Sequence, residues 1–280
     1  MFDWYTHLCD YHNVTKEEAL SLGTRSTGRT PSLPGNDRCP VVSNMTFEDI
    51  WDMKKRESDN DVFDFYRDQG SWSTFRQCVR HKDMENLHIS LFNFLINNNH
   101  LNNNSHICEY GCGVAPFITT FMKYLKTNET AKLNFTLTDV DCDHFDFANY
   151  RLNRIVNENK LNKSVILNFE TIKPESLPKF GNKKLDVLIC FEVLEHVPSP
   201  VSVMQNIKDN MNPGGIYIEN FIKHEVKEAE ETGCDLKSAR DERTEYYIIV
   251  NEYFNLLHPS KAESKANPNC TRVWQRNSIQ

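Results

Sequence analysis

Apolar strands and amphipathic helices alternate between residues 105 and 221, and this alternation constrains the fold more than any other feature of the chain. Strands are predicted at 105–110, 133–140, 164–169, 185–191 and 215–221, and helices at 117–125, 143–157 and 200–211. Strands that alternate with helices build a parallel sheet from β-α-β units. The sequence therefore predicts an α/β fold, with a mostly parallel sheet that carries helices on both faces.

The first hundred residues lack this alternation. We divide the chain into a helical and irregular extension at 1–100, acting as a lid or substrate cap, and an α/β domain at 101–280. Two spacings in the extension, at 15–18 and at 46–49, have the form of capping boxes and predict two helix starts. The remaining predictions are a linker at 23–44, a helix at 88–96, a charged helix that ends near 253, a polar loop after it and a last strand at 271–275.

Charge and composition exclude several classes of protein. Lys and Arg number 32 against 39 Asp and Glu, a net charge of −7, which disfavours nucleic acid as a partner although a local basic patch is compatible with it. The nine cysteines are scattered without a C-x-x-C pair, so we expect reduced thiols and no metal site. No apolar run approaches the length of a membrane span, and the N-terminus has no secretory pattern. A cytoplasmic protein without a membrane partner is expected, and its oligomeric state is left open.

A glycine-containing loop follows the first predicted strand. Gly111 and Gly113 stand between that strand and a helix, where they allow the backbone a close approach to a ligand. A dinucleotide fingerprint would place a third glycine at position 116, and this chain has Pro116 there. Glu109 would repel a pyrophosphate and suits a ligand with a cationic amino group. The alternative interpretation is a tight strand–helix turn without a ligand.

Acidic residues also follow two other predicted strands. Asp139 ends the strand at 133–140, a place where a carboxylate accepts both hydroxyls of a ribose, although Asp139 or Asp141 could equally be a helix N-cap. Glu192, Glu195 and His196 follow the strand at 185–191. Ligands of open α/β sheets bind outside the carboxyl ends of the strands. The sequence therefore predicts one binding site that is formed by these three loops.

Together these motifs resemble the class I S-adenosylmethionine-dependent methyltransferase family, especially its small-molecule branch. The resemblance covers roughly 105–221 and depends on E-x-G-x-G at 109–113, the acid at 139, E-V-L-E-H-V at 192–197 and P-G-G at 213–215. Two departures are Ala115, where a third glycine is frequent, and the absence of a clear adenine-binding acid in 169–173.

The resemblance implies a Rossmann-like fold with a seven-stranded sheet and S-adenosylmethionine as the cofactor. It also implies the residues of the cofactor site: Glu109, Gly111 and Gly113 in the loop, Asp139 on the ribose with Val140 beside it, and Glu192 at the methionine end. From the extension, Arg76 is a candidate to pair with the cofactor carboxylate, and Tyr66 and Trp72 are candidates for a lid. The alternative for these three is ordinary core aromatics and a surface ion pair.

Methyl transfer from a sulfonium depends mainly on alignment, which lowers a barrier by ~7–11 kcal/mol in well-oriented reactions. A general base adds typically ~10²–10⁴-fold. His196 is the first candidate for that base and Glu195 the second, and the alternative is that both only fix the loop.

Several functions remain open on the sequence. The leading hypothesis is methyl transfer to oxygen, nitrogen or carbon of a small molecule such as a sugar or another metabolite, with 222–258 as a substrate wall. The alternatives are a catalytically silent binding subunit with the same fold and an RNA methyltransferase. An NAD-dependent oxidoreductase is disfavoured by Pro116.

Overall fold

The computed structural model describes residues 4–24, 58–125, 132–221, 235–259 and 271–278. Within these residues, seven strands form one sheet in the order β3-β2-β1-β4-β5-β7-β6. Strands β1 to β5 are parallel, whereas β7 runs antiparallel to both β5 and β6. The strands are β1 (His106–Tyr110), β2 (Leu133–Val140), β3 (Val165–Ile172), β4 (Leu185–Cys190), β5 (Met211–Glu219), β6 (Phe254–His258) and β7 (Arg272–Arg276). The predicted α/β fold with a mostly parallel sheet is confirmed.

Helices cover both faces of the sheet. Those that precede or separate the strands are α1 (Trp4–His12), α2 (Lys16–Thr24), α3 (Asp59–Asp68), α4 (Gly70–Asp83), α5 (Glu85–Asn97), α6 (Pro116–Leu125), α7 (Asp143–Glu158), α8 (Pro200–Asn210) and α9 (Lys237–Tyr253). Short 3₁₀ turns lie at Leu161–Lys163 and Leu194–His196.

Strand β4 contributes side chains to both hydrophobic cores, one on each face of the sheet. Its side chains alternate, so that Val187 and Ile189 belong to the core that also holds α5, α6 and α7. Leu188 and Cys190 belong to the core under α8 and α9. A strand that is apolar on both faces is therefore buried between two helical layers, as its continuous apolar sequence predicts.

The N-terminal helices include the predicted capping box of α2. The backbone N–H of Thr15 donates to the Glu18 carboxylate at 2.8 Å, and the N–H of Glu18 donates to the Thr15 hydroxyl at 3.2 Å. Helix α3 packs on the beginning of α9, where Val62 and Phe65 share a small cluster with Leu236 and Ala239. This contact places α3 and the following α4 above the carboxyl edge of the sheet.

The structure differs from the local predictions at four places. Strand β5 begins at Met211 rather than at 215, because Met211 pairs with Leu185 and the residues before Ile216 bulge out of register. The predicted polar loop after α9 contains β6, which is held by antiparallel pairing with β7. Residues 59–68 and 70–83, where no element is predicted, form α3 and α4. The predicted linker at 23–44 begins inside α2, its remainder from 25 lies outside the described residues, and so does the capping box at 46–49.

The predicted boundary at residue 100 falls directly after α5. This helix buries Leu91, Phe92 and Leu95 in the same core as β1 and β2, so part of the extension is built into the sheet domain. The division into two domains stays a prediction. In the part of the chain that the structure describes, no helix has the length and apolar character needed to cross a membrane.

Candidate active site

A cleft of about 610 Å³ lies at the carboxyl ends of β1, β2 and β4. Its floor includes the loop after β1, the end of β2 and the residues that follow β4. Helices α3 and α4 form its roof, and residues 175–178 and the beginning of α8 form one wall. A site of this size at this edge is typical of small-ligand sites in open α/β folds.

Glu109 joins the end of β1 to the first turn of α6. Its carboxylate accepts hydrogen bonds from the backbone N–H groups of Phe117 at 3.3 Å and Ile118 at 3.0 Å. Such N–H groups have no partner within the helix, so a carboxylate is favoured there. Burial nevertheless raises the pKa of Glu109 to about 8. The residue lines the cleft and is a proton donor or acceptor near neutral pH.

Gly111 and Gly113 occupy the left-handed region, with φ of +62° and +50°. A Cβ built on Gly111 would lie 2.3 Å from Cγ2 of Val193, and one on Gly113 would lie 2.4 Å from Oε1 of Gln77. The conformation favours glycine at both positions, and at Gly111 the branched side chain of Val193 also excludes a Cβ. The space in front of the loop is filled by these two side chains, of which Gln77 belongs to the roof helix α4.

Asp139 ties the end of β2 to the same loop. Its Oδ2 accepts from the N–H of Gly113 at 2.6 Å, and its Oδ1 accepts from the N–H of Val140 at 2.7 Å. Burial raises the pKa of Asp139 to about 6, against the two hydrogen bonds, which lower it. The N-cap of α7 is Cys142, so the alternative role of Asp139 or Asp141 as that N-cap is not observed. Each oxygen of Asp139 keeps a further lone pair for a ribose hydroxyl, and that role stays a prediction.

Glu192 bridges the floor and the roof. Its backbone N–H donates to Oδ1 of Asn220 at 2.8 Å, and its Oε1 accepts from Nδ2 of Asn220 at 2.7 Å. The other carboxylate oxygen accepts from Nη2 of Arg80 on α4 at 2.8 Å. Glu192 adopts a left-handed φ of +57°, which is uncommon for a residue with a side chain.

The two candidate bases lie in different surroundings. His196 lines the cleft, with its ring edge-on to Tyr66 at a centroid distance of 6.2 Å. Glu195 is 7% exposed, and its Oε2 has no hydrogen-bond partner among the residues that the structure describes. Burial, followed by the charge of Glu192, raises the pKa of Glu195 to about 8. Among the described residues, the structure brings His196 to the cleft and leaves Glu195 outside its lining.

The roof contains two of the predicted lid residues. Tyr66 on α3 and Arg76 on α4 line the cleft. Trp72 lies on α4, and its side chain is outside the described part of the structure. Sequence reasoning missed Gln77, Arg80 and Asn220. Gln77 and Arg80 follow Arg76 along one helix, and Asn220 directly follows β5, so a correct boundary for α4 and for β5 would have drawn attention to them.

Negative charge predominates in the cleft. The ionisable acids among its described lining residues are Asp59, Glu109, Asp139, Glu175 and Glu192, and the arginines are Arg76 and Arg80. Aromatic faces of Tyr66, Phe117 and Phe191 stand beside these charges, with the rings of Phe117 and Phe191 4.7 Å apart. Carboxylates and aromatic faces both favour a cationic ligand.

Comparison with known families identifies the cationic ligand of the cleft. A family model described as a methyltransferase domain matches residues 80–233, more than half of the chain. The chain belongs to this family, the class I S-adenosylmethionine-dependent methyltransferases. S-adenosylmethionine is accordingly the cofactor. Its sulfonium and amino group suit the acidic, aromatic cleft, its carboxylate suits an arginine of the roof, and its ribose suits Asp139.

Curated relatives match this chain over short segments. A ubiquinone biosynthesis O-methyltransferase of Cupriavidus pinatubonensis is 34% identical over 74 residues, which are 26% of this chain and 30% of that protein. A protein of the same name from Colwellia psychrerythraea is 27% identical over 121 residues, 43% of each chain. The chain thus spans less than half the length of these relatives.

Solved structures show a distant likeness to this chain. Magnesium protoporphyrin IX methyltransferase from Synechocystis PCC 6803, solved with bound S-adenosylmethionine, shares 14% sequence identity with a TM-score of 0.45, over 99% of both chains. In the described residues, no group of three or more His, Cys, Asp or Glu side chains is arranged to hold a metal ion.

Proposed function

We propose that this protein transfers the methyl group of S-adenosylmethionine to oxygen, nitrogen or carbon of a small-molecule acceptor. The observation that carries the proposal is the cleft of about 610 Å³, which joins the glycine loop to the β4 loop under the roof of α3 and α4. The ion pair between Arg80 and Glu192 connects that roof to the floor, and α3 is also held by packing on the beginning of α9. A roofed cleft favours a small acceptor over an RNA or a protein.

Oxygen is the first acceptor atom to test. The curated relatives are named O-methyltransferases, and this supports a hydroxyl group as the nucleophile. Apolar side chains of the lining, including Val62, Phe63 and Leu177, favour an acceptor with an apolar body.

The proposed mechanism assigns separate tasks to the residues of the cleft. The cofactor supplies a methyl group that is already activated by its sulfonium. Arg76 pairs with the carboxylate of the cofactor, and Asp139 accepts hydrogen bonds from the ribose. Glu109 orients the amino group. His196 accepts the proton that a hydroxyl or amine acceptor loses, and the roof excludes water.

Calorimetry with S-adenosylmethionine is the first test of the proposal. Binding is expected in the micromolar range or tighter, and an absence of heat at hundreds of micromolar cofactor would overturn the proposal. Methyl transfer is then measured as S-adenosylhomocysteine formed with phenols, catechols, sugars and amines, and with RNA as the comparison. If the protein binds the cofactor and methylates none of these small molecules, the result would favour the silent binding subunit. Methylation of RNA would instead favour an RNA methyltransferase.

A further inference from the structure

The backbone of Glu192 is held in a conformation that its own sequence does not favour. A left-handed φ is unfavourable for a residue with a Cβ and persists where neighbouring groups hold it. Glu192 is the second residue after β4, and the residues on either side of it, Phe191 and Val193, line the cleft. A change in the backbone of Glu192 would therefore move the floor of the site.

Asn220 contacts both the backbone and the side chain of Glu192. Its Oδ1 accepts from the N–H of Glu192 at 2.8 Å, while its Nδ2 donates to Oε1 at 2.7 Å. A carboxamide offers one acceptor and two donors, which is the combination this contact requires. Alanine at 220 would provide neither group.

The turn that carries Asn220 is fixed by buried partners. Glu219, which is fully buried, accepts from the N–H of Phe221 at 2.5 Å and from Nε1 of Trp274 at 2.9 Å. The carbonyl oxygen of Phe221 accepts from the Tyr247 hydroxyl at 2.5 Å and from Nη1 of Arg272 at 3.1 Å. The backbone on the C-terminal side of Asn220 is thus held by α9 and β7.

Two contacts extend from Glu192 to the rest of the cleft. Its carboxylate accepts from Arg80, and so connects with the helix that carries Gln77 over Gly113. Val193, the next residue, lies against Gly111. The position of Glu192 therefore affects the roof and the glycine loop together.

We propose that Asn220 is a positioning residue that holds Glu192 in its left-handed conformation and thereby fixes both Arg80 and Val193 around the cofactor cleft. The inference rests on the proposed function for its effect on binding, because it assigns Asn220 to the same cleft. Asn220 itself is absent from the described lining of that cleft, so its influence passes through Glu192.

A double-mutant cycle tests this assignment. Asn220→Ala is expected to weaken S-adenosylmethionine binding about tenfold, the effect of losing a pair of partly exposed hydrogen bonds. Glycine adopts the left-handed region without support and carries no carboxylate, so in a Glu192→Gly background Asn220→Ala should change the affinity less than twofold. Asn210→Ala, which removes a half-buried amide from the end of α8, is the matched control and should bind as the wild type does.

Hydrogen exchange in the ligand-free protein gives a second readout. The amide of Glu192 should exchange faster in Asn220→Ala than in the wild type, and Asn210→Ala should leave it unchanged. If Asn220→Ala fails to fold, the isosteric Asn220→Asp replaces it in the binding measurement, where weaker cofactor binding is again expected because the donor to the Glu192 carboxylate is lost and a second carboxylate lies beside it.

The outcomes separate the two proposals. Wild-type affinity and wild-type exchange in a folded Asn220 variant would overturn the positioning role, as would an undiminished effect of Asn220→Ala beside Glu192→Gly. A wild-type protein without affinity for S-adenosylmethionine would overturn the proposed function, and faster exchange at Glu192 in Asn220→Ala would still support the positioning of that residue.

Discussion

Cγ2 of Val193 lies 2.3 Å from the point where a Cβ on Gly111 would stand, so the loop after β4 occupies the space in front of the loop after β1. We predict that Gly111→Ala destabilises the protein by more than the ~1–2 kcal/mol that a left-handed alanine costs, because a branched side chain held by the β4 loop must also move. Thermal unfolding of the ligand-free variant measures this effect.

Gly113→Ala is the matched comparison. The atom in its way is Oε1 of Gln77, the far end of a flexible side chain, so its loss of stability should stay near the conformational cost alone. Any loss of stability beyond that conformational cost should be recovered when Gln77→Ala is added to Gly113→Ala. Equal destabilisation by alanine at 111 and at 113 would contradict this difference between the two glycines.

Asp139→Asn is expected to weaken cofactor binding by about 1–3 kcal/mol, since a charge-assisted hydrogen bond to a ribose hydroxyl is lost. Asp141→Asn, two residues further and exposed, is the control and should change the affinity little. Isothermal titration of both variants measures the difference. The reverse order of effects would assign the ribose contact to Asp141.

Cofactor affinity should also fall as the pH falls through about 6. Burial raises the pKa of Asp139 to about 6, so below that pH the carboxyl gains a proton and loses its charge in the ligand-free protein. A ligand that donates hydrogen bonds to the ionised form binds in competition with that proton. Titrations between pH 5 and 8 test this expectation, and the decrease near pH 6 should be absent in Asp139→Asn.

Binding of the cofactor at pH 7 should release protons from Glu109. Burial raises the pKa of this carboxyl to about 8, so most molecules hold a proton there before binding, and a cationic amino group then favours the ionised form. The measured binding enthalpy should therefore differ between phosphate and Tris buffers. The difference should equal the number of protons released multiplied by the difference between the ionisation enthalpies of the two buffers. Glu109→Gln should reduce this buffer dependence, and an unchanged dependence in that variant would place the proton elsewhere.

His196→Ala should lower kcat by about 10²–10⁴-fold if its ring accepts the acceptor's proton, while the affinity for S-adenosylmethionine stays within a few fold. His258→Ala removes an exposed imidazole from β6, far along the chain from the cleft, and serves as the control. A pH–rate profile of both variants completes the measurement. An unaltered kcat in His196→Ala would leave alignment alone as the source of catalysis.

Much of the fold follows from local patterns in the sequence. Strand β2 has the predicted bounds, and α6, α7 and α8 agree to within a residue at each end, because each has a strong apolar periodicity. Strand β6 was not predicted, because its short and largely exposed sequence has no clear apolar pattern and the strand is held by pairing with β7. Helix α4 was not predicted either, because its sequence begins with glycine and carries several charges.

The residues of the candidate site also differ in whether local sequence patterns reveal them. Glu109, the two glycines and Asp139 can be recognised because each stands next to a strand end that the sequence reveals. Contacts between distant segments cannot be recognised in this way. Gln77 meets Gly113, and Arg80 and Asn220 meet at Glu192, only after α4 and the β5 turn have been placed against the sheet.

The packing of α3 on the beginning of α9 has a consequence for biosynthesis. The roof comes from residues 59–83, yet the apolar surface that supports it, Leu236 and Ala239, is synthesised only after β5. A nascent chain that has reached only β5 already holds the glycine loop and the acids of the floor, but it lacks the support for their cover. Packing of the roof helix α3 therefore depends on a segment that is translated after the floor.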